Sequence, residues 1–340
     1  MISRCVVALL LLWAAVAPAA AQEQQVRIGL GFGLAFLPLY ICEDLKLIER
    51  QAKAAHLDVK ASFPRLMGAA QAQAELASGA IDVAPFGTAP LLAAWDKGNG
   101  TPQQILAVSG LTSLPLVLLS NQADEQTIAD LKPDDRIAVP TLTSPQMQLL
   151  EMASEKVFGR YDRLRSQVVE MSHADAVDAL GGGQNKEQDK ETGKGRVTAY
   201  FSSPPYTQLA LRDAGVHAIL KSSDVMDGKF SFLMLGATKA SIEARPLIPG
   251  IVAGAIDEAA RIIRDDPRRA AQIFLTHEPS GTLTGAAAAA VIGDIKDEFG
   301  SPVYGVQTMA EFLSRRGELK ASPKSWKDVV APALLRSSSS

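Results

Sequence analysis

Five short stretches of this chain put glycines, hydroxyls or aromatics where an apolar strand runs into a helix. They are Gly31–Phe36 (GFGLAF), Arg65–Gly68 (RLMG), Gly87-Thr88 behind the strand Ile81–Phe86, Thr141–Gln146 (TLTSPQ) and Phe201–Tyr206 (FSSPPY). A helix starting this way aims unpaired backbone N–H groups, and often a Ser or Thr hydroxyl, beyond the strand end. The chemistry on offer is neutral hydrogen-bond donation to a small anion or polar ligand, aided by the helix dipole. In the first stretch Gly31 and Gly33 allow close backbone approach, while Leu34, Phe32 and Phe36 offer an apolar wall. In the second, Met67 and Gly68 open a helix, and Arg65 is either a counter-ion or a solvated surface residue. Gly87 and Thr88 form the third, with Thr88 read as an N-cap that also faces the ligand. In the fourth, one of Thr143 and Ser144 caps the helix opened by Pro145, leaving Thr141, Gln146 and the other hydroxyl for contact. In the fifth, Ser202 and Ser203 are either contacts or caps, between the aromatic walls Phe201 and Tyr206. Each stretch also reads as a plain strand-to-helix turn.

Signals for catalysis or metal binding are poor. His56, His173, His217 and His277 are scattered without ligand spacing, and His173 reads as surface. There is no nucleophile elbow and no phosphate-loop lysine. The GFG triplet lacks the third glycine of a dinucleotide fingerprint. The sequence therefore predicts no catalytic residue, no cofactor and no metal.

The first 21 residues read as a signal peptide: Arg4, an apolar run, then Ala19-Ala20-Ala21 as a cleavage site before Gln22. That predicts export across an inner membrane to the periplasm. One cysteine, Cys42, remains, so no intrachain disulfide can form. At 340 residues the chain is long enough for two lobes with a large core. Its net charge of −3 offers no attraction for nucleic acid or anionic lipid.

The elements that must position these junctions alternate along the chain. Strands at 26–31, 57–63, 81–86, 104–109 and 114–119 are separated by helices at 39–53, 68–78 and 89–97. A second unit follows, with strands at 136–139, 167–170, 197–201 and 218–221 and helices at 144–158, 174–180 and 205–213. A strand at 230–237 and a helical tail complete the chain. This spacing predicts an α/β fold with parallel-rich sheets. Gly181–Gly195, GGGQNKEQDKETGKG, reads as a mobile surface loop and Ser337–Ser340 as a frayed end.

In this order, VRIGLGFGLAFLPLYICEDLKLIER, AELASGAIDVAPFGTAPLL, DLKPDDRIAVPTLTSPQMQLL and AYFSSPPY, behind a leader, resemble the solute-binding proteins of nitrate/sulfonate/taurine-type ABC importers. This is the fold group of the thiamine-precursor-binding proteins, and the resemblance covers Gln25 to Leu335. It implies a type II periplasmic binding protein with the ligand in a cleft between two lobes. Lobe one would be 22–121 plus 222–340 and lobe two 122–221. It further implies a monomer that captures a small anion or heterocycle and passes it to an inner-membrane ABC permease. Two alternatives share the fold. One is an enzyme of pyrimidine synthesis, whose Cys-rich iron-binding stretch this chain lacks. The other is a ligand-sensing receptor for a membrane kinase.

Overall fold

The computed structural model describes residues 23–181, 197–279 and 283–337. The expected leader, nearly all of the stretch 181–195 and the last three residues lie outside them.

Two mixed sheets form the frame. In the first, β1 (Gln24–Arg27) runs parallel to β2 (Val59–Ser62), and the bridge Ile28–Val83 links it to β3 (Ala84–Phe86). β10 (Leu233–Thr238) lies between β3 and β4 (Ile105–Thr112), antiparallel to both. The second sheet has the order β7 (Val168–Glu170), β6 (Ile137–Val139), β8 (Ala199–Ser202), β5 (Val117–Ser120), β9 (His217–Lys221). Here β6 is parallel to β7 and β8, while β5 is antiparallel to β8 and β9. The two sheets thus share one order, second-first-third-returning-fourth.

The expected parallel-rich sheets are therefore mixed. The reason is where the chain crosses. β4 hands over to β5 across only Ser113–Leu116, and β9 to β10 through 222–232. A strand arriving from the other lobe enters at the end where the parallel strands finish, so it must run against them. β5 belongs to the second sheet, so the crossing precedes the expected 121/122 boundary.

Helices fill the faces. On the first lobe these are α1 (Leu37–Leu45), α2 (Leu47–Ala54), α3 (Ala69–Ser78) and α4 (Thr88–Lys97). The second carries α5 (Pro145–Phe158), α6 (His173–Leu180) and α7 (Tyr206–Ala210). α8 (Ser222–Met226) lies on the returning crossing. The tail brings α9 (Lys239–Ala244), α10 (Ile248–Asp265), α11 (Pro267–His277), α12 (Gly285–Asp294), α13 (Val306–Arg315) and α14 (Pro332–Ser337) back to the first lobe. α3 and α5 stop at Gly79 and Gly159, whose φ of 72° and 71° suit glycine. The single helix expected over 39–53 is two, because Lys46 turns left-handed at φ 53°. That turn lets Leu47 and Ile48 join Leu37–Cys42 in the core.

The core has one body on α1, α2, α10 and α11 against the first sheet. A second runs without a break from the other face of that sheet, through Leu116, Met226 and Phe230, to α5 in lobe two. A smaller third body lies under α6.

Candidate functional site

The C-terminal ends of β1–β3 and of β6–β8 carry all five junctions. This is the edge at which open α/β sheets bind ligands. The two edges meet. A Cβ built on Gly87 would lie 3.5 Å from Pro90 Cδ, 3.7 Å from Phe232 O and 3.8 Å from Pro145 Cγ. The first turn of α4 in one lobe therefore abuts the first turn of α5 in the other, and Gly87 supplies the room.

Gly87, not Thr88, is the cap of α4. Thr88 is its first residue, 3% exposed, and its hydroxyl donates to Ser231 O across the crossing. The expected cap is a bolt between α4 and the start of β10. Across the cleft the cap is Ser144, whose Oγ accepts from Met147 N at 3.3 Å and donates to Thr141 O at 2.7 Å. Thr141 and Thr143 stay exposed, their hydroxyls 3.3 Å apart.

Gln146 is the second residue of α5 and 2% exposed; among the described residues its amide makes no hydrogen bond, and the amide atoms keep a small contact with solvent. Gln146 follows Pro145, whose ring lies 3.8 Å from a Cβ built on Gly87, so it stands at the start of α5 where the two lobes abut.

The β1 loop is tightly built. Gly33, at φ 94°, donates its N–H to Glu278 Oε1 at 2.9 Å, and Tyr40 Oη donates to the same oxygen at 2.6 Å. Burial and Glu278 push the Tyr40 phenol well up, against an opposing pull from Arg65. Phe36 lays its ring on Gly31, where a Cβ would come within 2.4 Å. Leu34, expected as pocket wall, is 3% exposed and packs into the core, because the Leu34–Phe36 turn points it inward. Arg65 is exposed but tethered. It donates to Gly31 O at 3.2 Å and to His277 Nδ1 at 2.8 Å, and lies over the rings of Tyr40 and Phe32. His277 Nε2 then donates to Asp44 at 2.9 Å. Met67 is 83% exposed, its N–H held by Gln71, and Gly68 caps α3.

At the end of β8, Phe201 and Ser202 are fully buried. Phe201 belongs to the core rather than a pocket wall. The Ser202 hydroxyl donates to Val117 O at 2.8 Å and meets Thr207 Oγ1 at 2.8 Å, so it is occupied by the fold. Ser203 is 7% exposed, and its Oγ lies 3.3 Å from His173 Nε2. His173, expected on the surface, is half-buried. Its Nδ1 bonds the Tyr200 hydroxyl, and its ring stacks on Tyr206 with centroids 5.1 Å apart. Burial pushes its pKa down to about 4. Sequence reasoning missed this residue because its partners lie 27 and 30 positions away. Ser172, a side-chain cap for α6, is the only local hint that His173 opens a helix at this edge.

The carboxylates at this edge are engaged. Glu278 takes Gly33 N–H, and Glu170 takes Leu142 N–H at 2.7 Å. Among the described residues no three His, Cys, Asp or Glu side chains could hold a metal ion. A crevice lined by Asp82, Ile242 and Arg245 lies at the opposite end of the first sheet, where Asp82 is held by Arg27 at 3.0 Å and Arg245 at 2.6 Å.

No protein-family model matches the chain, and no curated protein matches it. Solved structures do. It resembles the periplasmic aliphatic sulphonate binding protein SsuA from Escherichia coli at a TM-score of 0.67 and 17% identity, over 91% of this chain and 92% of that one. It resembles the alkanesulfonate-binding protein SsuA from Xanthomonas axonopodis pv. citri, bound to MOPS, at a TM-score of 0.62 and 19% identity, over 92% and 99%. The periplasmic nitrate-binding protein NrtA from Synechocystis follows at 0.60 and 14%, over 93% and 88%. At these identities the likeness is one of fold, and the fold is that of periplasmic binding proteins.

Proposed function

We propose that the protein is a periplasmic receptor that closes two lobes on a small solute and delivers it, as a monomer, to an inner-membrane ABC permease. The lobes are the two sheets with their helices, and the crossings at 113–116 and 222–232 are the hinge. The ligand is a small anion or a polar heterocycle, of the kind represented by sulfonates, nitrate and carboxylates. Neutral donors hold it: Thr141 and Thr143, Ser203, the Gln146 amide, and backbone N–H groups at the helix starts.

The observation that carries this reading is Gln146. Its amide makes no hydrogen bond among the described residues and keeps a small solvent-facing area beside the point where the lobes touch, so it is free to bond a ligand. The named sulfonate- and nitrate-binding neighbours support the same class. Isothermal titration of the folded protein with sulfonates, nitrate, carboxylates and heterocycles tests it, alongside mass spectrometry of co-purified ligand. A tight 1:1 complex with one of them is expected. Silence across the panel, or a co-purified polyamine, overturns it.

A further inference from the structure

Tyr200, His173 and Ser203 form a row of hydrogen bonds whose direction the chemistry sets. The Tyr200 side chain is fully buried, and its hydroxyl bonds His173 Nδ1. An imidazole lone pair is a better acceptor than a phenol oxygen, so the phenol donates and Nδ1 carries no proton. In the neutral ring the proton is then on Nε2. That N–H points at Ser203 Oγ, 3.3 Å away. The serine oxygen accepts, and its own proton is left to donate outward. Among the described residues nothing else bonds the Ser203 hydroxyl, and Ser203, 7% exposed, directly follows β8 at the edge that carries the junctions. The stack on Tyr206 fixes the ring plane. Burial supports the neutral ring by pushing its pKa down to about 4.

We propose that Tyr200 and His173 are positioning residues that make Ser203 a dedicated hydrogen-bond donor. The wall of lobe two would then select ligands presenting an acceptor, such as an oxyanion or carbonyl oxygen, over ligands presenting only donors. This rests on the cleft reading above. In this tautomer, with Nε2 protonated, His173 does not take a proton from Ser203, so this pair is not set up as a base-activated nucleophile.

The test is nitrogen-detected NMR of the full chain labelled with 15N-histidine, the His173 signals being assigned by their loss in His173→Gln. The expected spectrum shows His173 Nε2 as N–H and Nδ1 as the bare, hydrogen-bonded nitrogen at neutral pH. Ser203→Ala keeps that tautomer, because Tyr200 sets it, whereas Tyr200→Phe releases the ring into a mixture. A proton on Nδ1 in the wild type, or release by Ser203→Ala, overturns the proposal. Titration with nitrate and methanesulfonate, probes that only accept, reads the consequence. Ser203→Ala is expected to weaken binding about tenfold, the usual net worth of one hydrogen bond. Unchanged affinity in Ser203→Ala overturns the donor role. If neither probe nor any other panel solute binds the wild type while the tautomer is as expected, the receptor reading fails and the row stands.

Discussion

At the level of single residues, Gln146 and Ser202 show how hydrogen bonding distinguishes a polar side chain the fold leaves free from one it uses. Both are polar and almost fully buried. Ser202 has two partners and is part of the fold, while Gln146 has none among the described residues and its amide keeps contact with solvent. Gln146→Leu is expected to preserve the thermal midpoint, since the amide bonds nothing in the fold, and to weaken ligand binding about tenfold or more. Calorimetry and titration on one sample check both halves. Two buried titratable groups lean the other way from each other. Burial, opposed by the bond from Ser120 and reinforced by Asp135, pushes Glu125 up to about 7. A carboxyl raised above its unfolded value of about 4.3 stabilises at low pH and loses that contribution as pH climbs towards 7. His173, lowered to about 4, does the reverse. Its contribution is complete above about 6.5, the unfolded value, and is lost as pH falls towards 4. The wild type should therefore show a flat midpoint between about pH 4.5 and 6.5, roughly the overlap of the two windows. Glu125→Gln should leave a midpoint that rises with pH, and His173→Gln one that falls. Melting curves at four pH values decide it, and slopes of the same sign in both variants would reject the assignment.

At the scale of elements, one device recurs, a strand end feeding a helix start, and local pattern alone reveals it. Glycine stops, proline at the first helical turn and apolar runs are local signals, so α3, α4, α5 and α6 were legible to within a residue or two. What each junction residue does was less legible, because partners distant in sequence decide it. Thr88 reads as a cap, yet its hydroxyl goes to Ser231, 143 positions on. Leu34 and Phe201 read as pocket walls, yet core packing takes both. Strand direction was hidden for the same reason, since only the crossings reveal that β5 and β10 run against their neighbours. One long-range contact joins elements of different lobes behind the cleft. Glu151 on α5, 4% exposed, is held by Arg316 after α13 and by Arg165 at 3.0 Å, while Arg315 pairs with Glu155 at 2.7 Å. Arg316 also lies 4.4 Å over Tyr161. Removing one partner of a buried pair leaves a charge uncompensated. Arg316→Ala still leaves Glu151 with Arg165, so it should cost less, about 1.5–3 kcal/mol, in chemical denaturation. A loss below about 0.5 kcal/mol, the scale of an exposed surface pair, would show that the clasp is solvated.

For the whole molecule, both sheets share one strand order, but they do not draw their strands equally from continuous chain. Sheet two draws all five strands from one continuous stretch, 117–221, whereas sheet one needs β10 from beyond it. A fragment of residues 113–232 should therefore unfold cooperatively on its own, and a fragment of 23–112 should not until 233–337 is supplied. Circular dichroism during urea titration checks this, and a cooperative transition in 23–112 alone would contradict it. The asymmetry has a consequence in time. β10 is the wedge between β3 and β4, and it is made more than 100 residues after either. While the chain is being synthesised, lobe two can close as soon as β9 appears, but sheet one waits as two halves with bare edges. Completion of sheet one is thus the late step of folding, and the exposed edges of β3 and β4 are where a stalled chain would first stick to another copy.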